Sequence, residues 1–282
     1  MTFINTDTGD KRLDEPRIDA RAVVSPEAKM GPGCTIASGA VLHAGVTLEA
    51  NVEVGPNAVF VTEMNPEDRV TSRVEQGVRI GANAIIYPNV TLASWAVVRP
   101  GAVVTRSVPP RAIVEGNPAT IIGYADTEAS TNAPPFLSGS APGVEKTAVA
   151  GVTVHTFPIV PDLRGNLTVG EFDKEIPFIP RRYFMVFGVP SKEVRGEHAH
   201  RECHQFLICV RGSCAVLADD GTRRVEFPLD APNRGLYLPP MTWGIQYKYS
   251  HDAMLLVFAS HRYDPADYIR IYSDFMTSIK RT

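Results

Sequence analysis

Apolar residues recur at every sixth position through the first hundred residues. Ile18, Val24, Met30, Ile36, Leu42, Leu48, Val54 and Phe60 form one run, and Val74, Ile80, Ile86, Leu92, Val98 and Val104 form a second. A helix repeats every 3.6 residues and a strand every two, so neither explains this period. A parallel β-helix does, because each flat face of a triangular coil is about one hexapeptide long. One apolar side chain per hexapeptide points into the prism. A small residue usually precedes it by two places: Ala22, Ala28, Cys34, Ala40, Ala58, Ala84, Ala96 and Ala102. Fourteen inward positions at three per coil give between four and five coils, over about residues 17–105. Phe60 and Val74 are fourteen apart, two more than a multiple of six. A loop, around Glu63–Ser72, is therefore expected to leave the prism, either as a functional insertion or as a plain surface excursion. The paired prolines Pro109-Pro110 are expected to stop the prism, because proline cannot donate to a strand ladder.

From Gly151 the texture changes. Short segments rich in β-branched and aromatic residues alternate with turn signals: VTVHTFP, LTVGEF, YFMVFGV, HQFLICV, CAVLADDG, RRVEFPL, GLYLPP, IQYKYS and AMLLVFAS. Asp219-Asp220-Gly221 reads as a hairpin turn. Eight or nine strands without a helical period predict an antiparallel jelly roll of the cupin type. Asp264–Met276 is the best helix candidate of this half. Between the two textures, residues 126–147 are rich in Ser, Thr, Ala, Pro and Gly and read as a linker. The expected domains are thus 1–125, a linker over 126–147, and 148–282.

With 282 residues, 44% of them hydrophobic and 21% charged, the chain has ordinary globular composition and room for two cores. Its net charge of −3 and lack of a long basic run give no reason to expect a nucleic-acid partner. No apolar stretch approaches membrane-spanning length, and the polar start MTFINTDTGDKRLDEPR is not a signal peptide. A cytoplasmic protein is expected, with Cys34, Cys203, Cys209 and Cys214 as reduced and mainly structural thiols. Cys203, flanked by His200 and His204, is the one to watch.

Arg195-Gly-Glu-His-Ala-His200 carries the chemistry of the second half. On a strand, residues two apart share a face, so His198 and His200 point the same way, into the barrel. Paired imidazoles there suit metal binding or proton transfer. A metal needs a third and usually a fourth ligand. Trp243 stands about where a metal cupin would place its later histidine, and Glu202 and His204 are imperfect substitutes. The expected site therefore holds no metal. Arg164, Arg182 and Arg195 offer guanidinium forks for an anionic ligand. Tyr183, Trp243, Tyr247 and Tyr249 offer rings and phenols, and Gln205 and Gln246 complete the expected substrate-binding set.

The run RGEHAHRECHQFLICVRGSCAVLADDG, with Pro161-Asp-Leu-Arg-Gly165, Ile176-Pro-Phe178 and DAPNRGLYLPPMTWGIQYKYSHDAMLLVFASHRYDPADYIRIY, resembles the cupin-fold dTDP-sugar 3,4-ketoisomerases over roughly residues 150–280. The related dTDP-4-keto-6-deoxyhexose 3,5-epimerases share an Arg-Gly-x-His motif whose histidine maps onto His198. Their second histidine maps near Trp243, where this chain follows the ketoisomerases. The resemblance implies that a histidine removes the C3 proton of a 4-keto sugar, that an enediolate forms, and that protonation at C4 leaves a 3-ketone. His198 and His200 are the implied base and acid, in either order, without a cofactor.

The first half, ending in VVTRSVPPRAIVEGNPATIIGY, resembles the acyltransferases of the left-handed β-helix class, nearest to the nucleotide-aminosugar N-acetyltransferases. That resemblance implies acetyl-CoA as cosubstrate and His43, next to the inward Leu42 and so facing outward, as base for an attacking amine. Two positions depart from the family pattern: Ala44, where an acidic residue is common, and Thr62-Glu63, where Asn-Asp is common. The expected fold class is therefore all-β, an N-terminal left-handed parallel β-helix followed by a C-terminal cupin barrel. The two resemblances imply a bifunctional enzyme of deoxysugar and lipopolysaccharide O-antigen biosynthesis acting on dTDP-linked keto and amino sugars. They also imply a homo-oligomer: trimeric through the prism, dimeric through the cupin, and hexameric if both operate. The competing expectations are a prism that is only a trimerisation scaffold, and a metal- or sugar-binding cupin without isomerase activity.

Overall fold

The computed structural model describes residues 15–61, 71–129, 142–163, 165–190 and 193–280. The chain divides into two compact units between Ala125 and Asp126. Among the described residues no helix is long and apolar enough to cross a membrane.

The first unit is a parallel β-solenoid. Strands of two or three residues stack into three sheets with an eighteen-residue register, as in Arg17↔Thr35, Ile36↔Val54 and Ile86↔Val104. The register lengthens where Val54 pairs with Ile80 and shortens in the last coil, where Val98 pairs with Val114. Residues 62–70, which hold most of the expected loop with Thr62 and Glu63, lie outside the described residues. Ser72, expected in that loop, opens the strand Ser72–Val74. Inward residues and the small residues two places before them are both buried from the second coil onward, as at Cys34 and Ile36 or Ala84 and Ile86. Each fully buried aliphatic side chain contributes about 1.5–3 kcal/mol. At the open first end Ile18 is 45% exposed.

The corners follow the same period. Gly33, Gly39, Asn51, Asn57, Gly77, Asn83, Asn89, Trp95 and Gly101 all have φ between 56° and 73°. Gly and Asn tolerate this left-handed region, whereas Trp95 is an outlier. Its ring lies over Gly77, where an added Cβ would come within 2.3 Å of the indole.

The prolines do not stop the prism. Val108 still bridges to Leu92, and after a corner at Arg111 the strand Ala112–Glu115 lies parallel to Val97–Val98. A proline at a corner has no ladder hydrogen bond to lose. The array ends instead where Thr120–Tyr124 folds back antiparallel on Ala112–Glu115.

The second unit is a sandwich of two six-stranded sheets. One runs Glu128–Ala129, Arg224–Leu229, Cys214–Asp219, Trp243–Tyr247, Arg195–His200 and Tyr268–Ile269. The other runs Gly143–Lys146, Thr153–Thr156, Arg234–Leu238, Gln205–Arg211, Met254–Ala259 and Arg182–Phe187. Leu207, Cys209, Leu236, Leu255 and Val257 from the second sheet pack against Val216, Ala218 and Phe227 from the first. The segment 126–147, read from composition as a linker, begins and ends in edge strands of these sheets. The expected C-terminal helix is displaced. Pro265–Asp267 is a 3₁₀ turn capped by Asp264, Tyr268–Ile269 is a strand, and the α-helix spans Tyr272–Ile279. All four cysteines are free and buried.

Candidate active site

The strand Arg195–His200 pairs antiparallel with Trp243–Tyr247, but its register shifts between Gly196 and His198. Gly196 (φ 84°) and Glu197 (φ 53°) form this bulge. Beyond it the normal pleat resumes, so His198 and His200 share a face. They line a small open pocket with Cys203, Gln205, Thr242, Gly244 and Gln246.

Each imidazole is fixed by its Nδ1. His198 Nδ1 lies 2.9 Å from the Gly196 carbonyl oxygen, which can only accept, so that nitrogen carries a proton. His200 Nδ1 lies 2.6 Å from Asp267 Oδ2 and donates to the carboxylate. Neutral, both rings then present lone pairs at Nε2, and these atoms are 3.2 Å apart. Gln205 Nε2 is 3.0 Å from His200 Nε2. The site thus has room for one proton between two bases.

Burial sets its charge. Desolvation lowers the His198 pKa to about 4, against the opposing hydrogen bond to Gly196. It also lowers His200, although Asp267 pulls the other way. For Asp267 burial opposes ionisation, but hydrogen bonds from the Glu202 N–H and from His200 outweigh it and hold the carboxyl below its ordinary range. The resting state is two neutral imidazoles beside a carboxylate. The Tyr268 ring packs on both histidines, 4.9 and 4.3 Å between centroids, and the Arg270 guanidinium carbon lies 4.3 Å from the centroid of the same ring.

This is the setting in which the chain's relatives matter. Residues 150–280 match the family described as FdtA: WxcM-like, C-terminal, and residues 71–106 match the bacterial transferase hexapeptide repeats. A TDP-4-oxo-6-deoxy-alpha-D-glucose-3,4-oxoisomerase from Aneurinibacillus thermoaerophilus is 41% identical over 128 residues, which is 45% of this chain and 92% of that protein. The chain belongs to the WxcM-like, C-terminal family. A solved 3,4-ketoisomerase from Helicobacter canadensis is 35% identical, covers 46% of this chain and 98% of its own, and has a TM-score of 0.45. In the first unit, a 2,3,4,5-tetrahydropyridine-2,6-dicarboxylate N-acetyltransferase from Staphylococcus aureus is 39% identical over 75 residues, 27% of this chain and 31% of that enzyme.

Within this WxcM-like unit the expected residues separate. His198, His200, Gln205 and Gln246 meet in the pocket. Trp243 does not: it is 5% exposed, and its ring packs on Tyr272 and Phe275 of the C-terminal helix. The strand alternation that turns Gly244 and Gln246 to the pocket turns Trp243 away. Tyr247 is buried with its hydroxyl on Glu226, and Tyr249 is buried with a hydroxyl that has no partner among the described residues. Arg182 holds its guanidinium 5.5 Å from the rings of both Phe184 and Tyr263. Tyr183 and Arg195 are exposed, and Arg164 lies outside the described residues. Asp267, Tyr268 and Arg270 belong to the site although the sequence reading passed over them.

In the solenoid, His43 is half-buried rather than fully outward. Its Nδ1 accepts the Gly45 N–H at 3.1 Å, and burial lowers its pKa. Its neutral tautomer therefore carries the proton on Nε2, a buried atom without a partner among the described residues.

Proposed function

We propose that the second unit is a 3,4-ketoisomerase of dTDP-4-keto-6-deoxyglucose, working by proton transfer through an enediolate. The observation that carries this reading is the facing pair of Nε2 lone pairs, 3.2 Å apart in a pocket. A 4-ketone acidifies the C3 proton. The pair takes it, and the proton is then held between the two Nε2 atoms. Asp267 stabilises the resulting imidazolium through His200 Nδ1, as a buried carboxylate does for a histidine base. Returning the proton to C4, while the hydroxyl proton on O3 passes to O4, gives the 3-ketone and the 4-hydroxyl, so the same pair takes and delivers the carbon-bound proton. Gln205 and Gln246 are assigned to the enediolate oxygens, Gln205 by turning its amide from His200 Nε2. Arg164, Arg182, Arg195 and Tyr183 are assigned to the nucleotide diphosphate, and Trp243 to holding the helix beneath the site. The relative named as a TDP-sugar 3,4-oxoisomerase supports the substrate class. Product NMR after incubation with dTDP-4-keto-6-deoxyglucose tests the reading: a 3-keto-6-deoxyhexose is expected, and unchanged substrate overturns it.

For the first unit we infer an N-acetyltransferase that uses acetyl-CoA on a dTDP-3-amino-3,6-dideoxyhexose, the aminated descendant of the isomerase product. The hexapeptide match and the N-acetyltransferase relative support it. His43 is neutral, as a base must be, but it can accept a proton from an amine only by leaving the Gly45 N–H. Calorimetric titration with acetyl-CoA separates this reading from a pure scaffold, which gives no saturable heat. The assembly that fits both units is a homo-oligomer, trimeric by prisms and dimeric by cupins.

A further inference from the structure

His200 has a second set of neighbours that proton transfer does not require. Its ring, the Cys203 thiol and the Asp267 carboxylate each offer a ligand atom, and all three atoms lie within 4.8 Å of one another. His200 and Cys203 are buried, at 5% and 2% exposure, and both reach the pocket wall. The three donors come from separate elements, the histidine strand, the turn after it and the 3₁₀ turn at Pro265–Asp267, so the fold itself converges them.

We propose that His200, Cys203 and Asp267 form a binding site for a thiophilic divalent cation of the zinc class, and that occupancy switches the ketoisomerase pair off. The inhibition rests on the ketoisomerase reading; the binding does not. Nitrogen, sulfur and carboxylate oxygen form an ordinary zinc donor set, and three protein ligands leave a fourth position open. Supporting contacts are in place. The Glu202 N–H holds Asp267 Oδ1 at 2.7 Å, and Ser260 Oγ lies 3.9 Å from the Cys203 sulfur. His200 Nδ1 and Asp267 Oδ2 are 2.6 Å apart, so they must part to about 3.3 Å to share a tetrahedral ion with bonds near 2 Å.

The proton balance explains the switch. The metal takes the place of the Nδ1 proton on His200, and the neutral ring then carries its proton on Nε2. The Cys203 thiol loses one proton to solvent, and the carboxylate is already ionised. His200 Nε2–H now donates to the His198 Nε2 lone pair 3.2 Å away, and the Gln205 amide, whose Nε2 lies 3.0 Å from His200 Nε2, flips to turn its oxygen there. Both bases of the pair are then occupied, and neither can accept the C3 proton.

The test uses the full chain, with Co²⁺ as the optical probe and Zn²⁺ as the inhibitor. One equivalent of Co²⁺ should give a thiolate-to-cobalt charge-transfer band that Zn²⁺ displaces. Cys203→Ser and Cys203→Ala should both lose the band. Their zinc affinity should fall by more than about 100-fold, since even outer-shell partners are worth ~10–100-fold. His198→Asn should keep the band while losing isomerisation. Stoichiometric Zn²⁺ should inhibit the wild-type enzyme reversibly by EDTA, and each Cys203 variant should respond far less when compared with itself without zinc. Absence of the charge-transfer band overturns the site, whatever the enzyme's activity. A band with undiminished turnover overturns the switch alone.

Discussion

One residue separates His198 from His200, and their chemistry depends on what holds the far side of each ring. Gly196 O and Asp267 claim the two Nδ1 protons, which leaves the Nε2 atoms as the working pair. His198→Asn and His200→Asn should each slow isomerisation by ~10²–10⁴-fold, the usual worth of a positioned acid or base, as measured by product NMR. Asp267→Asn should lower kcat with little change in KM, because Asp267 acts through His200 and not on the sugar; an unchanged kcat would remove it from the relay. The buried histidine also links to stability. Between about pH 6.5 and about pH 4 an unfolded His198 binds a proton that the folded one refuses, so stability must fall as pH falls through that window. The effect is on the order of 3 kcal/mol at full shift. Urea unfolding at about pH 7 and about pH 4.5 should show a shallower loss in His198→Asn than in the wild type. At this scale the histidines were legible because a two-residue spacing on a strand is unambiguous. Asp267 was not, because its partner lies far away along the chain and only the fold brings them together.

Elements explain the other differences. The bulge at Gly196–Glu197 resets the pleat just before the histidines. An added Cβ at Gly196, at φ 84°, would meet Gly244 O at 2.7 Å. Gly196→Ala should therefore cost about 1–3 kcal/mol of stability and reduce turnover, because the carbonyl that orients His198 moves with it. A sequence reader sees a glycine in a strand but not which pairing it interrupts. The C-terminal segment is similar. Asp264–Met276 looks helical by composition, yet Tyr268–Ile269 pairs with Ala199–His200 and brings Asp267 to the site. Tertiary pairing overrode local preference there, as it commonly does for short elements. In the solenoid the period-six pattern read correctly because every inward position has the same job. Its prolines read wrongly because a corner needs no ladder donor. Gly77→Ala should lower the solenoid's stability by about 1–2 kcal/mol, since φ 70° is a left-handed conformation and the Trp95 ring lies where the methyl would go. Thermal unfolding measures this, and isomerase activity should not change.

The two units are compact by themselves and match different families. The repeat in the first half specifies a prism, and the functional reading there stands on one histidine whose lone pair is already engaged. The irregular second half has no repeat to read, yet its spaced motifs carried the family likeness and its pocket carries the pair. Each unit's internal architecture was accessible from periodicity and strand texture, whereas the join at 126–147 was obscured because edge strands leave little compositional trace. Residues 126–282 alone should isomerise with the kcat/KM of the full chain, and a large loss would assign the solenoid a part in that reaction. The proposed isomerisation requires His198 and His200 to pass one proton from C3 to C4 of the sugar. Its most direct test is NMR of dTDP-4-keto-6-deoxyglucose in D₂O with the wild type, His198→Asn and His200→Asn. A 3-keto product is expected from the wild type, and neither product nor deuterium exchange at C3 from either variant. Exchange or product persisting in both variants would contradict it.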